Sequence, residues 1–116
     1  MDMYQSGSRL GCMDFGGDIY IAGCREGYFS CGDVYKGGSR VGYISNEDLY
    51  VEGSRVGYVT SSGDMFVDGC RVGELDDGGD VYVQGCRWGN IQGSLDDLEK
   101  KMYMFAFLYC FTDAFR

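Results

Sequence analysis

Six arginines recur along the chain, Arg9, Arg25, Arg40, Arg55, Arg71 and Arg87, each directly after a Gly-Ser or Gly-Cys pair. Guanidinium groups bind phosphates and carboxylates through a planar fork. If the Gly-Ser and Gly-Cys pairs are tight turns, all six arginines fall at one rim of the fold and form a candidate site for a small anion. The competing use of the same side chains is structural, each guanidinium stacking on a neighbouring aromatic ring. A second series, Asp2, Asp18, Asp33, Asp48, Asp64 and Asp80, has the same period and is expected at the opposite rim. Paired carboxylates suit acid–base work or Ca²⁺. Aspartate is also a turn former that accepts bonds from nearby backbone amides, which is the plainer reading. Lys100 and Lys101 are expected to neutralise part of this ring.

Other chemistry is thinly supplied. The 116 residues contain no His and no Pro. The commonest general base and metal ligand is therefore missing. The six cysteines form no C-x-x-C pair, and Cys24, Cys70 and Cys86 occupy a repeat position filled elsewhere by Ser8, Ser39 and Ser54. That exchange marks a small turn residue, so six free thiols in the reducing cytoplasm are expected. No nucleophile–base pair can be assembled; neither an enzyme nor a metal or cofactor site is expected. A net charge of −8 argues against a nucleic-acid partner. The polar run from Asp2 to Arg9 has no apolar core of a signal peptide.

The elements that position these residues follow from the repeat. Units begin at the six aspartates, 15 or 16 residues apart, and read Asp, apolar, aromatic, two variable residues, Gly, Ser or Cys, Arg, variable, Gly, variable, apolar. Such a unit is too short for a strand plus a helix and fits a β-hairpin. The Gly-Ser or Gly-Cys pair suits a type II′ turn with Gly at its first central position. That turn pairs Tyr4 with Gly11 and sets Asp, aromatic, Arg, Gly and the last apolar residue on one face, expected to point inward. Connections of three or four residues, such as Ser45-Asn46-Glu47, join the hairpins.

The chain then changes character. Ser94 with Asp97 three residues on is a helix-start signature, and Asp96 and Glu99 favour the first turns through the dipole. Ten consecutive apolar residues follow, Met102 to Phe111. A helix apolar on every side must be buried on every side. Its rise of roughly 15 Å is about half a bilayer core, so no transmembrane segment is expected. Six hairpins supply twelve antiparallel strands. Closed into a barrel they give a radius of roughly 12 Å, wide enough for one helix. The expected fold is an all-β closed twelve-stranded barrel over residues 1–93, enclosing a C-terminal helix over residues 94–116, as one domain. The last strand ends at Gly93 on the aspartate rim, so the helix is expected to enter there and to bring the negative end of its dipole and Asp113 to the arginine rim, offsetting only part of six positive charges. An open meander packed on one side of the helix is the alternative.

With its D-x-Y-x-x-G-x-R-x-G-x-I/V hairpins and terminal apolar helix, the chain resembles the β-flower families and, in element order, the Tubby C-terminal-like barrel. The Tubby resemblance implies phosphoinositide binding through basic residues; the β-flower resemblance implies no particular activity. Two functions are therefore expected to compete. One is a non-enzymatic binding or scaffold module contacting a protein partner through its outer face, with Tyr28, Tyr43, Tyr58 and Trp88 as contact residues. The other is anion or lipid-headgroup binding at the arginine rim.

Overall fold

The computed structural model describes residues 2–14, 17–92, 98–112 and 114–115. Twelve strands precede one helix: β1 (Asp2–Gln5), β2 (Ser8–Met13), β3 (Asp18–Ile21), β4 (Cys24–Ser30), β5 (Asp33–Lys36), β6 (Ser39–Ser45), β7 (Asp48–Val51), β8 (Ser54–Val59), β9 (Asp64–Val67), β10 (Cys70–Leu75), β11 (Asp80–Val83), β12 (Cys86–Gln92) and α1 (Leu98–Phe111). Every strand pairs antiparallel with its chain neighbours, and β1 closes on β12 through Asp2–Gln92 to Gln5–Gly89. Closure removes both sheet edges, as the repeat count implies. The expected helix start at Ser94 and Asp97 lies outside the described residues.

The hairpin turns differ from the expected type. The two-residue loop is one residue earlier, Ser6-Gly7 in the first unit, with φ of 51° and 85°. Both central residues are left-handed, which is type I′ rather than II′, and the glycine takes the second place. The equivalent pairs Glu52-Gly53 and Gln84-Gly85 behave alike. The shift changes the register: Gln5 pairs with Ser8, Tyr4 with Arg9 and Met3 with Gly11, with a bulge between the last two pairs.

Because side chains alternate along a strand, a one-residue slip exchanges its faces. The inward face is therefore not the one expected. Met3, Ile19, Val34, Leu49, Met65 and Val81, the residues after each aspartate, point inward and are at most 1% exposed. The aspartates and aromatic rings of the same strands lie outside. The bulge puts each arginine outside as well, while the following glycine and the last apolar residue face the core. The strand glycines do not pair with the aromatic residues of their own hairpins as expected; Gly11 pairs with Met3 and Gly57 with Leu49. A Cβ on Gly57 would fall within contact distance of the Phe66 carbonyl oxygen on β9 and 2.9 Å from Phe105 Cζ on α1. Glycine lets sheet and helix close on each other there.

Connections are of two lengths. Two residues suffice between β4 and β5 and between β6 and β7, against the three expected for the second. Four residues join β8 to β9, where Gly63 N–H donates to the Thr60 carbonyl at 2.9 Å and Asp64 N–H to Thr60 Oγ1 at 3.1 Å. Asp76 does the same for Asp80 at 2.9 Å. These side-chain bonds explain the polar residue that opens the longer loops.

Helix α1 fills the lumen. Met104, Phe105, Ala106, Phe107 and Leu108 are consecutive and all at most 1% exposed, so no side of the helix faces water. Its N-terminal end sits among the connections: Lys101 Nζ donates to the Ser61 carbonyl at 3.1 Å and pairs with Asp77 at 2.9 Å. Lys101 therefore neutralises a loop acid rather than the aspartate ring. At the hairpin tips, Lys36 Nζ donates to the Cys110 carbonyl at 3.0 Å, a cation on the negative end of the helix dipole. The helix thus runs from the connection rim to the tip rim, as expected. Lys36 belongs to the inward series of β5 yet stays exposed, because its long stem carries the charge out of the mouth.

Candidate functional site

The arginines and aspartates do not occupy opposite rims. Both series stand on the outer face, and each arginine bonds the aspartate that opens its own hairpin. Arg9 meets Asp2 at 3.2 Å, Arg25 meets Asp18 at 2.9 Å, and Arg40 meets Asp33 at 3.0 Å. Arg55 meets Asp48 at 2.8 Å, Arg71 meets Asp64 at 2.9 Å, and Arg87 meets Asp80 at 3.0 Å. The bonds to Asp2, Asp18 and Asp48 hold Arg9, Arg25 and Arg55 above the ordinary arginine pKa. An uncompensated positive surplus at one mouth, which the anion reading requires, is replaced by six locally neutral pairs. Asp113, expected to oppose that surplus, lies outside the described residues.

What the register builds instead is a belt of stacked groups. A residue two places after each strand glycine would face inward, but the residue directly after it faces out. In three consecutive hairpins that residue is a tyrosine. The guanidinium carbon of Arg25 lies 4.9 Å from the ring centre of Tyr28, Arg40 lies 4.8 Å from Tyr43, and Arg55 lies 4.7 Å from Tyr58. The next strand supplies the other half of each stack. Tyr28 meets Tyr35 at 4.5 Å, Tyr43 meets Tyr50 at 4.7 Å, and Tyr58 meets Phe66 at 4.7 Å, each pair within 9° of parallel. The cross-strand pairs Tyr28–Tyr35, Tyr43–Tyr50 and Tyr58–Phe66 place the rings directly opposite.

The belt is confined to β4–β9. The positions matching Tyr28 in the other hairpins are Cys12, Glu74 and Asn90, opposite Tyr20, Tyr82 and Tyr4. Glu74 there binds Arg71 at 3.2 Å. Shallow clefts separate neighbouring hairpins. One is lined by Arg25, Glu26, Gly27, Tyr28, Gly37 and Gly38, another by Arg55, Val56, Gly57, Tyr58, Asp68 and Gly69. In each a bare glycine backbone forms the floor between a stacked tyrosine and the next hairpin's tip.

Tyr28, Tyr43 and Tyr58 thus stand where the sequence places a contact patch. Their partners Tyr35, Tyr50 and Phe66 escape sequence reasoning, because the expected register turned them inward. The signal was present as the constant aromatic after each Asp-apolar pair. Trp88 belongs to a different environment: it takes the repeat position of Leu10, Val41, Val56 and Val72 and, like each of them, is partly buried against the core. All six cysteines are unbridged. Among the described residues no group of three or more cysteine or acidic side chains is placed to hold a metal ion.

Fold and surface together define a class: a closed barrel of six β-hairpins threaded by its own C-terminal helix, with an aromatic–guanidinium belt on half of its circumference. Set against known protein-family models, curated proteins and solved structures, the chain matches none.

Proposed function

We propose that this protein is a non-enzymatic binding or scaffold module that acts through the belt on β4–β9. The observation that carries the reading is the threefold Arg–Tyr–aromatic stack. Six aromatic rings are held half-exposed and ordered on a rigid barrel, so the belt itself loses little conformational freedom when a partner meets it. Tyrosine and arginine are also the side chains most enriched at energetically dominant contact positions. The opposite sector, with Cys12, Glu74 and Asn90 in the same places, has no such stack among its described residues and serves as an internal contrast. The outer face does not suit a lipid-facing barrel. Its strands have four to seven residues, short of the roughly nine to eleven that cross a bilayer, and it carries the six Arg–Asp pairs and Arg71–Glu74 where such barrels carry an apolar band.

We read the architecture as that of the β-flower type, on the support of hairpin motif and element order. The unbridged cysteines favour a cytoplasmic setting. An anion at the arginines would have to displace an aspartate from each pair, which makes headgroup binding the weaker reading. The test is quantitative interaction profiling in cell extract with the native chain, a belt variant (Tyr28→Ser, Tyr43→Ser, Tyr58→Ser) and an opposite-sector variant (Glu74→Ala, Asn90→Ala). At least one interactor is expected to be lost by the belt variant and kept by the other. If every interactor is insensitive to the belt, the reading fails.

A further inference from the structure

The chemistry of the belt narrows the partner; this step rests on the reading of the belt as the binding face. Each central ring is covered on both sides. Tyr43 has the Arg40 guanidinium at 4.8 Å and Tyr50 at 4.7 Å, 6° from parallel, and two groups so close to one ring centre must take opposite faces. Ring edges and phenol hydroxyls, not ring faces, therefore meet solvent. A nucleobase needs an open aromatic face on which to stack, and these stacks offer none at their centres.

Charge supplies the second constraint. The chain carries −8, and within the belt each arginine is already balanced by its aspartate. The carboxylates left over flank the same clefts. Glu26 lines the cleft with Arg25 and Tyr28, and Asp68 lines the cleft with Arg55 and Tyr58. Both are exposed, and neither has an ion pair with a described residue. Glu47 and Glu52 are exposed on the two rims of this sector. A surface of tyrosine edges bordered by unbalanced carboxylates is complementary to cations on flexible apolar stems.

We propose that the β4–β9 sector docks an extended, Lys/Arg-rich segment of a protein partner. Its aliphatic stems lie along the edges of Tyr28, Tyr43 and Tyr58, and its charged heads reach Glu26 and Asp68. The chemistry is that of a basic peptide, not of a sugar, nucleic acid or free anion.

The experiment is selection of displayed random peptides on the intact chain, followed by anisotropy titration of the labelled synthetic hits. Titrations use the native chain, the Tyr28→Ser, Tyr43→Ser, Tyr58→Ser variant and the Glu26→Gln, Asp68→Asn variant. Hits are expected to carry net positive charge, to bind the ring variant at least tenfold more weakly and the charge variant severalfold more weakly. Their affinity is expected to fall between about 50 and about 300 mM salt, as screening shortens the reach of exposed charges. The charge variant alters only exposed side chains and decides alone should the ring variant not fold. Neutral or acidic hits that still depend on the tyrosines or on Glu26 and Asp68 overturn the basic-segment inference and leave the belt as a binding face. Absence of hits, or hits indifferent to both variants, overturns both.

Discussion

The guanidinium carbon of Arg55 stands 4.7 Å from the ring centre of Tyr58, three residues along the same strand. The same guanidinium holds Asp48 at 2.8 Å, and the far face of Tyr58 is taken by Phe66 at 4.7 Å. Four side chains from three strands thus fix one another on a surface where each alone would be mobile.

Tyr58→Ala removes a cation–π contact and a stacked pair. An exposed cation–π contact contributes about 0.5–1 kcal/mol and an aromatic pair about 0.5–1.5 kcal/mol. We expect a loss of about 1–2 kcal/mol in urea denaturation. Glu74→Ala, at the matching position, removes only a half-exposed ion pair with Arg71 and is expected to cost under about 1 kcal/mol. Equal losses would show that the stack contributes nothing of its own.

Two glycines test two different reasons for glycine. Gly53 has φ of +84° with nothing within 4 Å of a built Cβ, so Gly53→Ala is expected to cost only the left-handed penalty of about 1–2 kcal/mol. Gly57 has ordinary φ, but a Cβ there meets backbone of β9 and the Phe105 ring. Gly57→Ala is expected to cost about 3 kcal/mol or more, because backbone cannot step aside as a side chain can. Thermal melts of the two variants rank them.

The helix is the core. Phe107 is 1% exposed, and Phe107→Ala is expected to cost about 3–5 kcal/mol. Ending the chain before Leu98 empties the lumen and is expected to abolish the cooperative transition altogether. A truncated chain that melts like the intact one would contradict the enclosed helix.

Lys101 is 3% exposed and ties α1 to two connections through Ser61 and Asp77. Lys101→Met keeps the apolar stem but leaves the Ser61 carbonyl without this donor, at about 1–3 kcal/mol. Lys101→Ala adds a cavity and is expected to cost more. Asp77→Asn removes the counter-charge of the buried ammonium and leaves it neutral oxygen acceptors only, and should fall in the same range as Lys101→Met. Urea midpoints of the three variants give the order.

All six thiols are expected to titrate in unfolded, unreduced protein, with Cys24, Cys31, Cys70 and Cys86 reacting first in the folded state because they are exposed. A count below six would indicate a bridge.

Much of this architecture follows from the sequence alone. A unit of 15 or 16 residues can hold a hairpin and little else, six of them give twelve strands, and an apolar run without a polar face has to be enclosed. Closure, helix polarity and free thiols come from that local and compositional logic, and so do Tyr28, Tyr43 and Tyr58 as outward residues. The face of the first strand in each hairpin does not. Ser6-Gly7 and Gly7-Ser8 both offer a glycine to a two-residue turn, and propensity barely separates them. The choice rests on burial summed over the barrel: the I′ register puts Met3, Ile19, Val34, Leu49, Met65 and Val81 against the helix, whereas the alternative would put six aspartates there. A single bulge per hairpin then reconciles that strand with its partner and turns each arginine outward beside its aspartate. Ion pairs and stacks seven or more residues apart depend on that register, so only the closed tertiary structure decides which charges meet.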